Sequence, residues 1–261
     1  MLLQNCLTSK VLFTLLICLS GLSDSEVALA TSIVIIVTPK SVVLAADSKA
    51  SFFDYETKKE EKKSVPKIYQ SQEYFFAISG LTKNPKNGFD PAALINSILS
   101  QEANFALAIQ IIKNKLQEAL KRELLAQKAN TLDALKRTIQ ESDIVISIGI
   151  VGLNFGKPFA HLLGFKVINL DSMELQILED SCPGNCPNGV KVFWMGKADA
   201  ISKYMSNGPV NEQPHLLAEK LIELECEASA NYVGEPIDVI EISAENKKWH
   251  RQKIGCPIIL R

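Results

Sequence analysis

The 261-residue chain has no block of like charge: 28 basic side chains face 29 acidic ones, for a formal charge of −1. That removes the electrostatic ground for a nucleic-acid or anionic-lipid partner. The run Lys58-Lys59-Glu60-Glu61-Lys62-Lys63 is balanced in sign and reads as a solvated loop. The apolar stretch Val11–Leu22 is too short, as a helix, to cross a hydrocarbon core of ~30 Å, so no stable membrane span is expected once it is removed. Metal-ligand spacing is also missing. One Cys-x3-Cys pair stands with three scattered histidines, His161, His215 and His250, so neither a metal nor a cofactor is expected. No internal repeat or low-complexity tract appears. What remains is an ordinary globular composition, 47% hydrophobic and 22% charged, sufficient for one sizeable domain.

Residues 1–30 contain the parts of a secretory leader. Lys10 supplies the positive charge, Val11–Leu22 the apolar region, and Ala28-Leu29-Ala30 a small-residue cleavage triplet. Cleavage after Ala30 gives a signal peptide, 1–30, and one domain, 31–261, in a secreted or periplasmic protein. Retention of the segment as an anchor is the bland alternative. Cys6 and Cys18 leave with the leader; Cys182, Cys186, Cys226 and Cys256 then allow two disulfides in three connectivities. A local bridge across Cys182-Pro-Gly-Asn-Cys186 and long-range bridges are both open, and an oxidised compartment suits either.

Cleavage there would make Thr31 the N-terminus. A terminal threonine carries a hydroxyl nucleophile and a free α-amine on one residue. That amine has an ordinary pKa of roughly 7.7–8.0, so it can take the proton from its own hydroxyl near neutral pH.

Beyond Thr31 the pattern runs strands, helices, strands, helices, strands. Thr31–Thr38 and Ser41–Ala46 read as a hairpin ending at Asp47, Asp54–Pro66 as an exposed connection, and Lys67–Tyr69 and Glu73–Ser79 as two further strands. Asp90-Pro91 starts a helix, and Phe105, Ile109, Ile112, Leu116, Leu120 and Leu124 mark one apolar face of a long one. Thr131–Gln140 reads as a further helical segment. Strands are expected at Ile144–Val151, Pro158–Ile168, Leu175–Leu178 and Val190–Trp194, with a tight turn at Asn154–Lys157. Helices at Asp199–Met205 and Pro214–Ala230 and strands at Ile237–Ser243 and His250–Ile254 complete the chain. Short hairpin turns favour antiparallel sheets packed against helical layers over a parallel sheet.

Thr31-Ser32-Ile33-Val34-Ile35-Ile36-Val37, followed by Ser41–Ala50 with its Ala45-Ala46-Asp47-Ser48-Lys49, resembles the opening of proteasome β-type subunits. Lys67-Ile68, Ala77-Ile78-Ser79-Gly80, Ile148–Pro158 and Val233–Val239 extend the likeness to about Ser243. The resemblance implies an N-terminal nucleophile hydrolase: an α+β, four-layer αββα sandwich of two antiparallel sheets between helical layers. It implies Thr31 as nucleophile, Asp47 and Lys67 as its charged partners, and the Gly80 amide as oxyanion donor. The chemistry fits on its own terms. A cation at Lys67 disfavours protonation of the terminal amine, Asp47 can hold that cation charged, and glycine lets a backbone amide approach a developing oxyanion. Each residue also has a plain structural use: strand residue, strand-end turn former, solvated charge and loop glycine.

The supporting residues depart from the family. Its G-S-G segment falls on Gly196-Lys197-Ala198, and its later aspartate and serine fall near Ala230 and Val233, with Ser229 one residue out of register. The first expectation is therefore an exported threonine-type hydrolase of peptide or protein substrates, assembled as a homo-oligomeric ring. The alternatives are a non-catalytic structural or assembly subunit and a small-amide acylase.

Overall fold

The computed structural model describes residues 31–54, 59–84, 87–141, 144–186, 190–208 and 211–252, with side chains left aside over 51–61 and 130–141. The leader reading of 1–30 and the cysteine at 256 fall outside the described residues. In chain order the strands are β1 (Ser32–Val37), β2 (Ser41–Asp47), β3 (Lys49–Asp54), β4 (Lys59–Ser64), β5 (Ile68–Ser71) and β6 (Tyr74–Gly80). Helices α1 (Pro91–Gln101) and α2 (Phe105–Glu141) follow, then β7 (Ile144–Asn154), β8 (Lys157–Asn169), β9 (Glu174–Cys182) and β10 (Lys191–Gly196). Helices α3 (Asp199–Met205) and α4 (Pro214–Ala228) and strands β11 (Ile237–Ser243) and β12 (Lys247–Arg251) close the described order.

Two five-stranded antiparallel sheets result, β10-β1-β2-β11-β12 and β5-β6-β7-β8-β9, with β3-β4 as a separate hairpin. The chain is α+β. β1 is apolar on every residue from Ile33 because both its faces are covered. Ile33 and Ile35 enter a cluster shared with Phe75 and Val151 of the second sheet, while Val34 and Ile36 enter another with Leu217 and Leu221 of α4. A third cluster joins Phe76 and Ile148 to the stripe Ile109, Ile112, Leu116, Leu120 and Leu124 of α2. Each such aliphatic side chain contributes about 1.5–3 kcal/mol on full burial.

Several boundaries differ from the sequence expectation. Residues 59–63 of the charged run lie in a strand, β4, paired from Asp54↔Lys59 to Lys49↔Ser64; Lys62, Lys63 and Ser64 stay exposed, as suits a hairpin outside the main sheets. Asp90 caps α1, accepting from Ala93 N at 2.9 Å, but that helix stops at Glu102, and Asn104 opens α2 by accepting from Leu107 N at 3.2 Å. Residues 131–140 continue α2, since neither glycine nor proline interrupts it. β12 starts three residues early, at Lys247. Cys182 and Cys186 form the local disulfide, and Cys226 is a free thiol.

Candidate active site

Asp47 ends β2 with no exposed surface, and four nitrogen donors converge on it. Its Oδ1 accepts from Ser32 N at 2.9 Å and from Lys67 Nζ at 2.8 Å. Its Oδ2 accepts from Lys49 N at 3.1 Å and from Gly234 N at 3.2 Å. Lys67, only 4% exposed, also donates to Lys49 O. The Lys67 ammonium and the amide that follows Thr31 therefore share one carboxylate oxygen. Three of the predicted residues come together: Thr31, Asp47 and Lys67.

Thr31 lies at the head of β1, 1% exposed. Its carbonyl accepts from Lys197 N at 2.8 Å. Among the described residues, its Oγ1 and the neighbouring Ser32 Oγ are buried hydroxyl oxygens without a hydrogen-bond partner. Such atoms are uncommon in a folded interior and call for a reason.

Burial pushes the Asp47 carboxyl up, against Lys67 and the two amides that favour its charged form. Burial likewise pushes the Lys67 ammonium down, with Asp47 holding it up only in part. The expected stabilisation of a charged Lys67 by Asp47 is present, but desolvation is larger than it.

Gly196, opposite Ser32 at the end of β10, has φ +77°, and a Cβ there would stand 1.8 Å from the Thr31 carbonyl oxygen and 3.2 Å from Ser79 Cβ. Only glycine allows this approach. Gly80 has its own structural requirement: at φ +93°, a Cβ would lie 2.3 Å from Val145 O. Asn84 and Asn87 then fasten the following loop to the buried Glu123 of α2, at 2.7 and 2.9 Å. Ser79, Gly80, Trp194, Gly196, Lys197 and Asp199 line one cleft of about 850 Å³. Gly80 shares that cleft lining with Gly196, the residue that stands against the Thr31 carbonyl.

The neighbouring positions are committed elsewhere. Lys197 Nζ pairs with Asp199 at 2.5 Å. Ser229 Oγ donates to Glu225 Oε1 at 2.7 Å, while Glu225 Oε2 accepts from Ala200 N at 2.8 Å and caps α3. Ala230 contributes its carbonyl to Lys49 Nζ, and Val233 is buried. Sequence reasoning missed Ser32, Lys49 and Gly234 as donors to Asp47. They act through backbone N–H groups, which leave no side-chain signature; the glycine at 234 was the one available sign.

No family model and no curated protein matches the chain. Solved structures do. Anbu, an ancestral beta-subunit from Yersinia bercovieri, is 13% identical over 84% of this chain and 86% of its own, with a TM-score of 0.52. The Gly-1 mutant of Anbu from Hyphomicrobium sp. strain MC1 is 18% identical over 85% and 86%, with a TM-score of 0.49. The Yersinia likeness is one of fold alone. The resemblance to proteasome β-type subunits is corrected accordingly: no family model places the chain there, and the Yersinia likeness, at 13% identity, reaches no further than the fold.

Proposed function

We propose that the chain is an exported amide-bond hydrolase whose nucleophile is the Thr31 hydroxyl, freed by cleavage after Ala30. The observation that carries this reading is the unpartnered, buried Thr31 Oγ1 one residue from an oxygen of Asp47 that also binds Lys67. The three clusters of apolar side chains support the αββα stacking that suits it.

In the reaction, Oγ1 forms a bond to the substrate carbonyl carbon and its proton passes to the α-amine of Thr31. The C–N bond then breaks, and that proton leaves on the departing amine. Water, deprotonated by the same amine, hydrolyses the ester and restores the hydroxyl. In this reading the Lys67 ammonium, held by Asp47, disfavours protonation of the α-amine of Thr31. On the same reading the Gly80 amide is the oxyanion donor and peptides are the substrate class.

A second reading is a non-catalytic subunit that oligomerises. It is favoured by the commitment of Ser229 to Glu225 and of Lys197 to Asp199, which leaves neither hydroxyl nor carboxylate from those positions for the amine. One experiment separates the two: N-terminal sequencing of protein recovered from the exporting compartment, with turnover of fluorogenic peptide amides. A terminus at Thr31, turnover in the wild type and none in Thr31→Ala support the enzyme. A terminus at Thr31 with no turnover supports the scaffold, and a retained leader contradicts both the export and the nucleophile.

A further inference from the structure

The histidines at 215 and 250, remote in sequence, meet in the fold. His215 lies in the first turn of α4, next to Pro214, and His250 in β12. The registers Val239↔Arg251 and Ile240↔Trp249 leave His250 as the extra residue of a β-bulge. The bulge turns His250 and Arg251 to the same side: Trp249 packs between the sheets, whereas Arg251 reaches Glu219 of α4 at 2.7 Å. Glu241 shares that side, since Ile240 and Ile242 on either side of it belong to the inter-sheet cluster. Two imidazoles and a carboxylate therefore face one another beneath the start of α4.

We propose that His215, Glu241 and His250 form a binding site for a divalent transition ion of the zinc class, with water in the remaining position. His250 Nε2 lies 2.8 Å from Glu241 Oε2 and His215 Nδ1 lies 3.9 Å from the same oxygen; one donor atom from each residue falls within 4.8 Å of the others. A tetrahedral zinc with bonds of about 2.0–2.2 Å needs donors roughly 3.3 Å apart, inside that range. Binding requires the stacked rings to turn so that both in-plane nitrogen lone pairs meet at one point. The set is two nitrogens and one oxygen, which suits zinc, nickel or copper and not calcium or magnesium. The Ser41 hydroxyl hydrogen-bonds Glu241, the kind of outer contact that orients a ligating carboxylate. Side-chain exposures of 19%, 24% and 13% leave the cluster reachable from solvent. The competing account is packing alone: the two rings stack with centroids 3.7 Å apart, and His250 is satisfied by Glu241. Stacking explains two rings but needs no carboxylate directed at both.

The test is titration of the tag-free full chain with Zn²⁺ by calorimetry, with metal content read by mass spectrometry after dialysis. We expect one saturable Zn²⁺ per chain, uncompeted by excess Ca²⁺ or Mg²⁺. His215→Ala and Glu241→Gln should each weaken it more than about 10-fold, while His161→Ala, at a histidine held elsewhere by Glu179, leaves it unchanged. Zn²⁺ should raise the melting temperature of the wild type and not of Glu241→Gln, which retains an acceptor for His250 and guards against a folding artefact. Absence of saturable binding, or binding that survives both His215→Ala and Glu241→Gln, overturns the proposal.

Discussion

Two carboxylates sit on the paired strands β2 and β11 in opposite circumstances. Asp47, opposite Ile237 at one end of the ladder, is sealed from solvent and receives four nitrogen donors. Glu241, opposite Val43 toward the other end, keeps 24% of its side-chain surface and faces two imidazoles. Burial raises both carboxyls. At Asp47 it outweighs the lysine and the amides, so the group is pushed up; at Glu241 the His250 and Ser41 hydrogen bonds outweigh it, so the group is held down. The same chemical group is thus sealed into an ion pair with Lys67 at one place and left partly exposed beside two imidazoles at another.

The largest effect is expected from breaking the sealed end. Asp47→Ala strands a buried ammonium and three amides, and should cost about 3–5 kcal/mol in urea unfolding. Replacing both partners, Asp47→Leu with Lys67→Met, should recover most of that stability, and under the proposed function no peptide turnover should return with it. Next comes Gly196→Ala, which forces backbone atoms apart at Thr31 and should cost about 1–3 kcal/mol by the same measurement. Under the proposed function turnover should fall with it, since the Lys197–Thr31 hydrogen bond fixes the backbone of Thr31.

The open end predicts a pH effect without a large loss. Glu241 is held below its ordinary 4.5, so its contribution is complete above that value and is lost as pH falls through the lower folded value. In chelator-treated protein, Glu241→Gln should flatten this part of the acid limb of stability against pH; an unchanged limb would show that the two carboxylates do not differ in this way. The smallest effect concerns Cys226. Burial first, and then Asp47, pushes its thiol up to about 12, so native protein should react with iodoacetamide at pH 8 far more slowly than unfolded protein.

Much of the scaffold was legible in sequence because burial leaves a periodicity. β2, β11, α3 and α4 begin at the expected residues, α1 begins behind its Asp90 cap, and the stripe of α2 is the one that packs. The charged strand β4 was illegible because its pairing is made by the backbone, with no apolar alternation to reveal it. The break at 102–104 lies just ahead of Phe105, where the apolar stripe begins, and rests on a cap bond from Leu107 N to Asn104 that the stripe does not record. At the site, Thr31 was singled out by the cleavage triplet before it, and Asp47 and Lys67 by the likeness to proteasome β-type subunits, but Gly196's requirement comes from the path of another strand. The meeting of His215 with His250 depends on a bulge that no local pattern announces.

The most direct test of the proposed nucleophile is covalent labelling of protein that begins at Thr31 with a peptidic β-lactone, an acylating agent for hydroxyls, followed by intact-mass and peptide mapping. The account predicts a single acyl group on the Oγ1 of an N-terminal Thr31, lost in Thr31→Ala and slowed about 10²–10⁴-fold in Lys67→Ala. An N-terminal Thr31 that stays unmodified, or an acyl group carried by any other residue, would contradict it.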